Sequence, residues 1–174
     1  MNIRRIVTRA AAVAAVAVSA IVGGVGVGTA SAAPIPGLFY YGQTIAVLGQ
    51  NSGCNGLVDY RLDSDPAKPG VVIITFTSRG MNGVGPAWEA DPVCPIDFDV
   101  IWDAAAFGFG SVAGHQVKTV EFKPTRSPGD SISAEIVTGP GLHLVGIGAS
   151  YVNQFYTELR PQFGTPSSGY IIVP

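Results

Sequence analysis

Glycine and proline fall so often after residue 32 that few stretches of this chain can hold a helix. The stretches of six or more residues free of both are 43–48, 57–65, 71–79, 96–107, 115–123, 130–138 and 149–160. Five of these seven are nine residues or shorter, which is strand length, and only the two of twelve residues have room for an ordinary helix. An all-β domain follows.

Patterning inside the pieces agrees. Val58, Tyr60 and Leu62 alternate with Asp59 and Arg61, and Ile132, Ala134 and Ile136 alternate with Ser131, Ser133 and Glu135, so both runs read as strands with one dry face and one wet face. Val71 to Ile74 is apolar on both faces, as in a central strand, and Val117 to Lys123 is rich in β-formers. Asn55-Gly56 is a hairpin-turn signal, and Pro69-Gly70, Pro128-Gly129 and Pro140-Gly141 mark further reversals. With Leu142 to Ile147 and Tyr170 to Val173 added, the reading is a single antiparallel β-sandwich of immunoglobulin-like outline with seven to nine strands, and a small β-barrel as second choice. One segment reads differently. From Tyr151 to Arg160 the apolar residues fall at 151, 152, 155, 156 and 159, a helical stripe with Ser150 to cap it and Pro161 after its end, so a short helix is expected there against the β-preference of its Tyr, Val and Phe.

The N-terminus predicts the compartment. Arg4, Arg5 and Arg9 precede an apolar run from Ala10 to Val27, and Thr29-Ala30-Ser31-Ala32 ends it, which is the three-part plan of a secretory signal peptide cleaved after Ala32. Residues 33–174 then form one secreted domain, extracellular or wall-associated, with no transmembrane anchor after cleavage. The Ala-rich leader and the Gly/Ala/Val-heavy composition suggest a GC-rich bacterium. In an oxidising compartment the only two cysteines, Cys54 and Cys94, have one partner each. Neither His115 nor His143 is spaced to complete a zinc site with them, so no metal and no cofactor is expected.

Charge excludes one class of partner. The predicted mature chain carries seven Lys and Arg against twelve Asp and Glu, and no basic cluster accompanies its aromatics, so nucleic acid is not a partner. Three places are candidate sites. Asp97, Asp99 and Asp103 share one face of a strand, with the neighbouring Asp97 and Asp99 about 6.6 Å apart, which suits an acidic solvent face, a calcium site or the acid and base of an inverting glycosidase. Asp63-Ser64-Asp65 could add ligands but reads as a polar turn. Ser78 to Cys94 has no periodicity and carries Arg79, Met81 and Trp88, residue types common at binding hot spots, on what looks like a loop clamped by Cys94; Trp88 folded onto the core is the other reading. Phe39-Tyr40-Tyr41 is either a sugar-stacking or membrane-interface patch or the start of the first strand. Catalytic signals are weak: no serine lies in a Gly-x-Ser-x-Gly elbow, His115 reads as a turn residue, and Gly108 to Ala113 matches a dinucleotide fingerprint without its strand-turn-helix setting.

The sequence therefore points to a non-enzymatic binding or interaction module of the envelope or medium, with a protein, glycan or lipid partner. A secreted hydrolase of envelope carbohydrate or ester, using the Asp97, Asp99 and Asp103 face, is the alternative, and a carrier of an apolar ligand between two sheets is a third.

Overall fold

The structure, a computed structural model, describes residues 32–104, 116–153 and 157–174, apart from the side chains of Asp103 and Ala104. The expected signal peptide, His115 and the Gly108 to Ala113 motif lie outside the described residues.

Eleven strands and one short helix make up the described chain, in the order β1 (Ala33–Pro34), β2 (Gly37–Phe39), β3 (Thr44–Leu48), β4 (Asn55–Ser64), β5 (Val71–Asn82), α1 (Gly85–Ala90), β6 (Ile96–Ala104), β7 (Gln116–Phe122), β8 (Ser131–Val137), β9 (Gly141–Gly148), β10 (Phe163–Gly164) and β11 (Ser167–Val173). Three of these are stubs of two or three residues, and the eight longer ones fall within the expected count. Two antiparallel sheets result. The first runs β10-β3-β4-β5-β8 with β1 added on β4, and the second runs β2-β11-β9-β6-β7. This is an all-β sandwich.

Alternation creates the core. Tyr60, Leu62, Val72, Ile74, Phe76 and Ile136 of the first sheet are buried, as are Ile96, Phe98, Val100, Val120, Val145, Ile147 and Ile171 of the second. Phe76 and Phe98 meet in the centre as a parallel stack, centroids 4.3 Å apart, and Phe122 packs on Phe98 at 6.5 Å. Such pairs add to their area burial when offset or edge-on. β5, apolar on both faces at its start, is a central strand between β4 and β8. A polar tie joins the sheets at one rim: Tyr60 Oη on β4 and Ser167 Oγ on β11 lie 2.7 Å apart, and both reach the Gly42 carbonyl.

Cys54, just before β4, and Cys94, just before β6, form a disulfide with Cα atoms 5.8 Å apart, and both are fully buried. The bond links the two sheets. Gly49 lies against it, where a Cβ would sit 2.4 Å from Cys94 Sγ, so only glycine fits.

Two local expectations change. Asn55-Gly56 is not the turn but the start of β4; the reversal comes earlier, at Ser52 and Gly53, whose φ angles are 50° and 60°. There the Cys54 N–H donates to the Asn51 carbonyl and pins the loop to the disulfide. Tyr151 to Arg160 is not a ten-residue helix either. Val152 bridges Leu159 antiparallel, and Arg160 N–H donates to the Tyr151 carbonyl at 2.7 Å. Asn153 Oδ1 accepts the Thr157 and Glu158 amides, the turn chemistry that outcompetes a helix where the flanking residues prefer strands.

Two stability measurements check this arrangement. Phe98→Ala should lower unfolding free energy by about 3–5 kcal/mol in a denaturant titration, through the cavity left between the sheets. Replacing both cysteines by serine should cost about 2–5 kcal/mol in the same assay.

Candidate functional site

The three sequence-predicted sites meet different fates. Met81 and Trp88 are both 1% exposed and belong to the core, so they cannot serve as contact residues of a projecting loop. The reason is that Ser78 to Cys94 is largely ordered secondary structure. β5 continues through Asn82, and α1 follows with Pro86 in its first turn, a position where a missing N–H is harmless. Trp88 lies so close to the backbone at Gly83 that a Cβ there would come within 2.3 Å of its ring. Arg126 sits 6.0 Å over the indole and pairs with Glu89 at 2.9 Å, while Asn51 Nδ2 holds the Val93 carbonyl. Arg79 is separate from this cluster, on the outer face of β5, where its Nε donates to Asp59 Oδ2 at 2.7 Å.

The acidic face is also not a row of solvated carboxylates. Arg160 lies on it, with Nη1 3.2 Å from both oxygens of Asp99 and Nε 3.7 Å from Asp97 Oδ2 and 3.5 Å from Glu158. The Arg160 and Asp99 side chains are only 7% and 3% exposed. Thr119 donates to Asp99 Oδ1 at 2.7 Å and Gln50 to Asp97 Oδ2 at 2.9 Å. Burial pulls the Arg160 guanidinium pKa down, and the hydrogen bond and charge of Asp99, with Asp97 and Glu158, more than offset it, so the pKa is raised. Asp97 and Asp99 thus serve a structural cation; the Asp103 side chain lies outside the described residues. Among the described residues no group of His, Cys, Asp or Glu is arranged to hold a metal ion.

Gln162 completes that cluster in a way no spacing rule would find. β9 pairs with β6 only as far as Asp99, and beyond it the Gln162 side chain takes the place of a strand: its Oε1 accepts the Asp97 N–H at 2.9 Å and its Nε2 donates to the Asp97 carbonyl at 2.7 Å. Gln50 donates to the same Oε1.

The remaining expectations divide. Asp63 is buried beneath Arg61, which donates to it at 2.7 Å, so it is an ion-pair member in β4 rather than part of a polar turn. Of the two readings of His143, a strand residue facing solvent or one hydrogen-bonded at the core edge, the structure has the second: it is buried in β9 with Nε2 3.0 Å from the Gly139 carbonyl. Phe39 packs edge-on against Tyr60 at 5.4 Å, whereas Tyr40 and Tyr41 are 67% and 76% exposed.

In the chain Tyr40 and Tyr41 lie between Phe39 and Gly42, two residues that line a hollow on the surface. It holds about 540 Å³ and runs between β1–β2 and β4, lined by Ile35, Leu38, Phe39, Gln43, Arg61 and Leu62. Leu38, 71% exposed, pairs in register with Tyr170, which pairs with Leu144, and Ile172 pairs with Leu142 alongside. Leu38, Ile172 and Leu142 therefore carry an exposed apolar surface away from the groove and across the outer face of the second sheet. A smaller hollow of about 230 Å³ lies at the β4–β5 turn, walled by Pro66, Pro69, Val71 and Pro174. No helix among the described residues is long and apolar enough to cross a membrane.

In comparison with known proteins, no family model matches the chain, and neither a curated protein nor a solved structure does.

Two predictions follow from the charges. Arg160→Ala strands Asp99 as a buried carboxylate without its cation and should cost about 3–5 kcal/mol, more than removing an exposed pair, when unfolding is followed in urea. The Arg79 hydrogen bond holds the Asp59 carboxyl below the usual carboxylate range, burial opposes it, and Thr44 adds to the lowering. A carboxylate whose folded pKa is depressed stabilises the fold above the ordinary carboxylate range, and that contribution disappears as pH falls through the folded value. Asp59→Asn should therefore shrink the loss of melting temperature between pH 6 and pH 2, with little change in its pattern above pH 6.

Proposed function

We propose that this chain is an exported, non-enzymatic binding module of the cell envelope or medium, and that it takes a glycan segment into the groove between β1–β2 and β4. The observation that carries the reading is a groove that offers Gln43 and Arg61 beside apolar walls, with the exposed Tyr40 and Tyr41 lying in the chain between its lining residues Phe39 and Gly42. Tyrosine supplies a flat apolar body with a polar tip, and a few placed polar groups on an apolar groove are how small-ligand sites fix orientation. A disulfide between fully buried cysteines suits an oxidising compartment. The hydrolase alternative loses support because Asp97 and Asp99 are engaged by Arg160. The carrier alternative loses it because the Phe76–Phe98 stack fills the space between the sheets.

The test is binding of soluble oligosaccharides prepared from envelope polysaccharide, measured by titration calorimetry. The Tyr40→Ala/Tyr41→Ala double variant should weaken binding at least about tenfold with an unchanged melting temperature. Binding that survives this change at full strength, or selective binding of envelope proteins with no affinity for oligosaccharides, would overturn the glycan reading.

A further inference from the structure

A sheet edge exposes a row of unpaired amides and carbonyls, and folded chains blunt such edges with short strands, charges or prolines. Three edges of this sandwich are blunted. The β2 edge is three residues long and the β10 edge two. β7 carries Lys118 on its inward side, in alternation with buried Val120 and Phe122. β8 is different. Ser131–Val137 runs seven residues with no proline, no lysine and no bulge, and among the described residues no strand pairs with its second edge. Its core-facing Ile132 and Ala134 are only partly buried although they pack on the core, so the hydrophobic layer runs out unfinished at this rim.

The hydrogen bonds at both ends of β8 show which backbone groups point outward. Thr138 N–H donates to the Gly70 carbonyl, and the Asp130 carbonyl accepts from Ser78 N–H. Pairing of β8 with β5 keeps one register from Val71↔Val137 to Thr77↔Ser131. Even-numbered residues therefore bond to β5, and Ser131, Ser133, Glu135 and Val137 aim their amides and carbonyls away from the sheet.

We propose that this edge is a dimer interface, in which β8 of a second copy of this chain docks antiparallel about a two-fold axis at Ala134. In that register Ser131 meets Val137 of the other copy and Ser133 meets Glu135, all four being residues with outward backbone groups, so each pair exchanges two hydrogen bonds. On the inner side the register covers Ile132 and Ala134, the residues left partly exposed at this rim, while Ile136 is already buried in its own copy. Centring on Glu135 would set two carboxylates directly opposite each other, and centring on Ser133 would forgo the pairs at Val137, so the chemistry selects Ala134. The sole charge on the strand, Glu135, already has Lys68 of its own copy as partner.

Sedimentation equilibrium of the purified protein tests this, with expected dimerisation of the unaltered chain. Ser133→Pro removes a donor that points outward and leaves the β5 ladder complete, so it should raise the dissociation constant at least about tenfold with the melting temperature of the monomer retained. Ser133→Glu sets like charges opposite each other and should do the same, which reads the interface even if the proline variant does not fold. Adding Glu135→Lys to Ser133→Glu places opposite charges in register and should restore association. A protein that stays monomeric at millimolar concentration, or a dimer indifferent to both Ser133 variants, would overturn the proposal. Neither outcome bears on glycan binding at the opposite rim.

Discussion

The bond between Cys54 and Cys94 is the constraint on which one end of the molecule depends. It joins the entries of β4 and β6, strands of different sheets, across a sequence separation of 40 residues. In the chain-entropy picture closing such a loop removes about 4 kcal/mol of unfolded-state freedom. Its neighbours depend on its position. Gly49 has no side chain because the sulfurs fill that space, and Asn51 holds the carbonyls of Asp91 and Val93 from the turn beside Cys54. α1, which is too short to persist alone, is held by that turn below and by Trp88 above.

The second organising feature is a charge taken out of water. Asp99 and Arg160 together fill a site under the segment that follows β9, and neither would be tolerated there singly. The guanidinium divides its roles: Nη1 donates to both oxygens of Asp99, while Nε, without a hydrogen bond of its own, stands within charge-pairing distance of Asp97 and Glu158. Gln162 then supplies both a donor and an acceptor where β6 has lost its strand neighbour. The result is a segment with little regular structure that is nevertheless fixed to the sheet by side chains.

Much of the architecture was legible because two-residue periodicity is local. Val58, Tyr60 and Leu62 point inward for the same reason that Ile132, Ala134 and Ile136 do, and counting uninterrupted stretches was enough to exclude a helical domain. The disulfide was legible too, since two cysteines allow one pairing. Asn55-Gly56 misled because a turn signal was followed by an equally good strand, and the earlier Ser52-Gly53 reversal, tied to the disulfide, prevailed. Tyr151 to Arg160 misled because its helical stripe counted Arg160 as a solvent residue, whereas it is buried.

The sequence by itself determined the class of fold, the inward and outward sides of most strands and the covalent link, all of which follow from spacing along one chain. Only the tertiary structure decided which polar residues are wet. Asp97 and Asp99 read as a solvent face until Arg160, 61 residues past Asp99, arrives to cover them, and Trp88 reads either as a loop anchor or as a core residue until the room left by Gly83 puts its ring in the core. Conversely, the apolar Leu38 and Ile172 are left outside, because β2 and β11 form one end of the second sheet with their outer side uncovered by any described strand. Burial of a charge or exposure of an apolar group depends on what the rest of the chain places on top of it, and that information is not carried by any local pattern.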